Sequence, residues 1–162
     1  MAKLMAGMKV LFWAAATAAL AGCVGAPGDM EKILIDKSAK KMYLLDAAGR
    51  RIKKYEVRLG LEHGQKTCRG DMKTPTGEYR VNGKWDSKYI RFISLDYPNA
   101  SDVARAAAAG CDPGGAIGIH AFVDGLDMNP NGSEGCITVW SKDEILEIDS
   151  KTAIGTPVEI RD

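Results

Sequence analysis

Ala116–Trp140 reads AIGIHAFVDGLDMNPNGSEGCITVW. Two short β-forming runs, Ala116–His120 and Cys136–Trp140, flank a loop rich in Gly, Asn and Pro over 121–135. The first run ends on a histidine and the second begins on a cysteine. Outward from this stretch the signals are mostly those of strands. Lys32–Asp36 (KILID) and Lys41–Leu45 (KMYLL) flank a polar break, Asp46–Gly49 is a turn, and Arg51–Leu59 (RIKKYEVRL) mixes β-formers with charges. Glu78–Val81, Tyr89–Leu95 and Thr156–Ile160 are further strand candidates. Asn99–Ala109 is alanine-rich and helical, with Gly110 as its stop. Ser141-Lys142-Asp143-Glu144 matches a capping box opening a helix to about Asp149. The fold class is therefore mainly β with two short helices, of the α+β type. Gly60–Gly77 has no period and is a long loop, a length that is often functional.

A chain of 162 residues suits a single domain with a sizeable core. Its formal charge of +1 lacks the basic excess of a nucleic-acid binder, so no nucleic acid is expected as a partner. Residues 1–22 read as a signal peptide: Lys3 and Lys9 precede the apolar run Val10–Leu20, which is too short to span a bilayer as a helix. Leu20-Ala21-Gly22-Cys23 resembles the lipobox of bacterial lipoproteins, in which the chain is cut before the Cys and that Cys is lipidated. Residues 23–30 would then be a lipidated terminus and tether, and 31–162 the single folded domain. The mature chain would carry a formal charge of −1, so the lipid at Cys23, rather than charge, would hold it to the membrane. The expected location is the periplasm or cell envelope.

Export implies an oxidising compartment. With Cys23 lipidated, Cys68, Cys111 and Cys136 remain, an odd number that leaves a candidate reactive thiol. Cys68 and Cys111 either pair or are two separate buried thiols. His120 and Cys136 are joined by a 15-residue connection, long enough to fold back and bring both side chains to one sheet edge. A nucleophilic cysteine needs a neighbouring base, because the thiolate is the reactive form. Gly135 permits a sharp turn before Cys136 and leaves its amide free to face an oxyanion.

Ile119-His120-Ala121 followed by Ser133-Glu134-Gly135-Cys136-Ile137 resembles the signature of YkuD-type L,D-transpeptidases. Gly70-Asp71-Met72-Lys73-Thr74-Pro75-Thr76-Gly77-Glu78-Tyr79 is similar to a second segment of that family. Ser94–His120 is similar to its YafK-like subgroup, and Gly155–Ile160 also fits. The resemblance implies a β-sandwich or barrel-like catalytic domain acting on peptidoglycan stem peptides, with no metal and no organic cofactor. It makes Cys136 the nucleophile and His120 its base. Ser133, or its carbonyl, would hold the imidazole. Gly135 and the Cys136 amide would form the oxyanion hole, with Ala121 beside the substrate. A thioester with the donor would be resolved by the amine of another stem peptide, or by water.

Three positions depart from the family pattern. Ala121 replaces a glycine and would narrow the pocket, Glu134 replaces a frequent histidine, and Thr138 replaces a frequent arginine. Glu134 and Thr138 motivate a hydrolytic alternative, an amidase or carboxypeptidase on peptidoglycan or protein–peptidoglycan crosslinks. Ala121 motivates a non-catalytic wall-binding lipoprotein. Asp71 is expected to organise its loop through nearby amides. His63 is expected at the surface, and Lys66, Arg69 and Lys73 as solvated loop charges. Trp85 and Tyr89 are expected as core or partly buried aromatics.

Overall fold

A computed structural model describes residues 29–126 and 128–162. The signal peptide, the lipobox-like Cys23 and most of the tether lie outside the described residues. Eight strands form the sheet: β1 (Lys32–Asp36), β2 (Lys41–Leu45), β3 (Arg51–Glu56), β4 (Gly77–Ser87), β5 (Ile90–Leu95), β6 (Gly118–Ala121), β7 (Ile137–Val139) and β8 (Pro157–Arg161). Two helices, α1 (Ala100–Ala108) and α2 (Lys142–Lys151), complete the mainly β fold. The strand order is β3-β2-β1-β8-β4-β5-β6-β7. That order is an open sheet. Its two ends nonetheless approach each other, because the chain leaving β3 makes an isolated antiparallel bridge, Arg58 to Thr138 of β7.

The first three strands, β1–β3, form an antiparallel meander. The strand expected over Arg51–Leu59 stops at Glu56: the Val57 amide makes a last bond to the Lys40 carbonyl, and Arg58 and Leu59 then meet β7 and the loop before Cys136. β4 is longer than its sequence signal. Asn82-Gly83, a common turn dipeptide, is here a bulge within the strand, where the pairing with β5 shifts between Val81 and Gly83. The hairpin turn falls instead between Ser87 and Ile90.

Both helices are closed at their N-termini by side chains that accept otherwise orphaned amides. Asn99 caps α1 reciprocally with Asp102, and Ser141 caps α2 reciprocally with Glu144. Part of the core lies between the sheet and α2. Ile119, Ala121, Ile137 and Val139 of β6 and β7 and Ile145 and Ile148 of α2 are fully excluded from solvent there. Because side chains alternate across a strand, this placement turns Gly118, His120, Cys136 and Thr138 to the opposite face. Among the described residues, no helix is long and apolar enough to cross a membrane.

Candidate active site

β6 and β7 are parallel neighbours, with Ile119 opposite Ile137 and His120 opposite Thr138. Cys136 directly precedes β7 and so falls beside Gly118, one alternation step from His120 on the same face. The residues that the sequence pairs across a loop are thus brought to adjacent strands. Parallel pairing requires a crossover, and the 121–135 loop supplies it.

His120 is buried. Its Nδ1 lies 3.0 Å from the Ala121 carbonyl. A carbonyl only accepts, so Nδ1 carries the proton and Nε2 is left as an acceptor. The ring stacks on Tyr89, with centroids 4.3 Å apart, and on Phe92, at 5.9 Å. Phe92 sits directly opposite His120 in the β5–β6 register, and Tyr89 comes from the turn before β5. Burial pulls the imidazole pKa below its ordinary value, while the bond to Ala121 opposes that shift. The histidine is therefore kept neutral and fixed in tautomer.

Cys136 is the one free thiol among the described residues. Its Sγ donates to the Ala116 carbonyl at 3.4 Å. Burial pushes its pKa up to about 11. The Gly118 amide opposes that rise, the charge of Glu134 adds to it, and Lys66 lowers it. The resting group is a protonated thiol. Gly135, at φ +134°, fits closely under the Lys73 carbonyl: a Cβ there would stand 2.7 Å from that oxygen. The Gly135 carbonyl accepts from Thr74 Oγ1 at 3.0 Å, and Thr74 Oγ1 accepts from the Gly60 amide at 2.7 Å. This relay ties the long loop to the turn before the cysteine. The Cys136 amide has no acceptor among the described residues.

The structure redistributes several expected roles. Ser133 does not hold the imidazole; its hydroxyl donates to the Cys136 carbonyl at 2.6 Å and accepts from the Gly135 amide at 3.0 Å. Its own carbonyl accepts from Leu61. Ser133 shapes the turn that presents Cys136. The Gly135 amide is correspondingly occupied, so of the two expected oxyanion donors only the Cys136 amide is unengaged. Ala121 does not narrow the pocket, since its methyl is in the core, and it contributes a carbonyl to His120 instead.

Asp71 organises its loop as expected, accepting from Lys66 Nζ and from the amides of Thr67, Cys68 and Lys73. Lys66 is not a solvated charge. It is buried and paired with Asp71 at 2.7 Å. Arg69 is exposed and paired with Asp112, and His63 is on the surface. Cys68 and Cys111 form a disulfide that pins this loop to the end of α1. Among the described residues, no group of three or more His, Cys, Asp or Glu is gathered to hold a metal ion.

Two features were not legible beforehand. Tyr89 supports the imidazole only because the β4–β5 turn returns it to β6. Arg58, read as part of a half-exposed strand, is buried directly opposite Thr138, and no local pattern marks it.

Comparison with known proteins places this geometry. No curated protein sequence matches the chain. Among solved structures, the helical cell shape determining protein Pgp2 of Campylobacter jejuni is similar, with 24% identity and a TM-score of 0.66 over 82% of this chain and 48% of that one. Bd1075 of Bdellovibrio bacteriovorus gives 25% identity and a TM-score of 0.62 over 83% of this chain and 48% of that one. An L,D-transpeptidase from Mycobacterium smegmatis gives 15% identity and a TM-score of 0.55 over 82% of this chain and 59% of that one. The chain spans about half the length of the first two. The model of the YkuD L,D-transpeptidase catalytic domain matches residues 30–160, nearly all that the structure describes, and the chain belongs to that family.

Proposed function

We propose that this protein is a peptidoglycan L,D-transpeptidase working by a Cys136/His120 mechanism. The observation that carries the reading is the placement of a free thiol and a neutral, oriented imidazole on one face of the β6–β7 pair. Cys136 Sγ leaves the Ala116 carbonyl, turns to the scissile carbonyl of a stem peptide and attacks its carbon as Nε2 of His120 takes the thiol proton. The Cys136 amide faces the developing oxyanion. Collapse breaks the carbon–nitrogen bond, the leaving amine takes the proton from His120, and a thioester remains. An acceptor amine attacks that thioester, gives its proton to His120, and the thiol is restored. Pre-placing the base in the resting enzyme suits a thiol with so high a pKa.

Purified protein incubated with a stem tetrapeptide and an acceptor amine tests this by mass spectrometry. The expected result is a thioester adduct on Cys136, release of the terminal amino acid, and a new crosslink, all abolished by Cys136→Ala. Absence of both adduct and product would sink the reading. Release without a crosslink would favour the hydrolytic alternative, which Glu134 and Thr138 motivate. The non-catalytic alternative loses its motive, because the Ala121 methyl is not in the pocket.

An exported, lipid-anchored location accompanies this reading. The lipobox-like sequence at Cys23 and the Cys68–Cys111 disulfide support it. Incorporation of a labelled fatty acid that persists in Cys23→Ser would exclude Cys23 as the lipidated residue.

A further inference from the structure

Arg58 is 7% exposed, and its Nε and Nη1 are buried with no hydrogen-bond partner among the described residues. Burying guanidinium donors unpaired is costly in general, so such a group is rare without a purpose. Its plane is held between Phe122, 4.0 Å from the ring centroid, and Trp140, at 3.5 Å. Cation–π contact offsets part of the cost but satisfies no N–H. Asp124, in an exposed turn, is the acid whose charge acts on Arg58. Thr138, directly opposite Arg58, also has an Oγ1 that is buried without a partner. Side chains of a directly opposed antiparallel pair share a face and lie within about 5.5 Å at their Cβ atoms.

These unsatisfied groups share a face with the proposed chemistry. Cys136, Thr138 and Trp140 alternate along β7 and the residues that flank it, and His120 and Phe122 along β6 and the residue after it. Two residues of a strand cover about 7 Å, so Thr138 is one such step from Cys136 and Trp140 is two. A peptide whose scissile carbonyl meets Sγ would carry its next groups along this strip. An unpaired guanidinium with a hydroxyl beside it matches a carboxylate in geometry and charge. Trp140 is 53% exposed and stacks on the cation, so a ligand reaching the guanidinium would displace that ring.

Resting on the function proposed above, we infer that Arg58, with Thr138, binds a carboxylate of the donor stem peptide and so sets donor choice. Two carboxylates share this chemistry: the one at the peptide's C-terminus and the one on its diamino acid.

Binding to Cys136→Ala protein, which cannot turn over, tests the site by calorimetry. Three peptides are compared: the free acid, its C-terminal amide, and the form amidated on the diamino acid. One amide is expected to bind roughly 10- to 100-fold more weakly than the acid, the range of a lost charge-assisted pair. The weakened form identifies which carboxylate is held. Adding Arg58→Met should remove that difference, and Arg58→Lys should restore part of it. Equal affinity of all three peptides for the protein with Arg58 intact would overturn the inference without recourse to any Arg58 variant. So would equal weakening of all three by Arg58→Met, the mark of a purely structural clamp. Acid-selective binding in a protein that yields no product with Cys136 intact would sink the function and leave the carboxylate site standing.

Discussion

Replacing Gly135 by alanine tests how the cysteine is presented. Two costs arise. The backbone there has φ +134°, a region that a side chain makes unfavourable by about 1–3 kcal/mol. The added Cβ would also stand 2.7 Å from the Lys73 carbonyl and 3.0 Å from Ile117 Cδ1. The carbonyl is backbone and cannot move aside cheaply, so crowding adds roughly 1–3 kcal/mol. Gly49 separates the two costs. It has φ +74° with nothing within 4 Å of a new Cβ, so Gly49→Ala carries the conformational cost alone. Urea unfolding should place Gly135→Ala below the parent by about 2–6 kcal/mol, and Gly49→Ala by about 1–2 kcal/mol. The folded variant has a second readout. Moving Gly135 disturbs its bond from Thr74 and displaces Cys136, and misplacing a reacting atom by about 1 Å can lower turnover on the order of 100-fold. A Gly135→Ala protein as stable as Gly49→Ala, with unchanged turnover, would refute the close-approach account.

Three further outcomes follow from the same geometry. Glu134→Gln removes a negative charge that raises the Cys136 pKa, so thiolate forms more readily and alkylation at about pH 8.5 should quicken roughly two- to fivefold at low salt; an unchanged or slower rate would contradict the sign. Reducing the Cys68–Cys111 bond, with its sequence separation of 43, should lower stability by up to about 4 kcal/mol on chain-entropy grounds, and thermal melts with and without reductant that differ by under about 1 kcal/mol would count against it. His120 has a lowered folded pKa, so below about pH 6.5 the unfolded chain binds the extra proton first and stability falls as pH falls. His120→Gln should flatten that slope between about pH 5 and 6.5 in denaturant midpoints; an identical slope in both proteins would show that His120 is not held neutral.

The two alternatives for Cys68 and Cys111 resolve into a disulfide because the loop and the end of α1 meet in space, with Cα atoms 5.7 Å apart. The Asn82-Gly83 dipeptide shows the limit of local reading. It has turn chemistry, yet pairing with β5 carries the strand through it as a bulge. Lys66 shows the same limit for charge: its composition reads as solvated, but Asp71 compensates its burial.

Sequence alone determined the mainly β class, both helices, the second with its cap, and the pairing of His120 with Cys136 as candidate partners. Each is written in local signals: alternation, a capping residue three positions from its acid, a glycine beside a thiol. Tertiary structure decided which groups serve those partners. Tyr89 reaches the imidazole through strand register, and Arg58 comes to lie opposite Thr138 through the meeting of the sheet's two ends. Register depends on contacts between residues distant in the chain, and no local pattern encodes it.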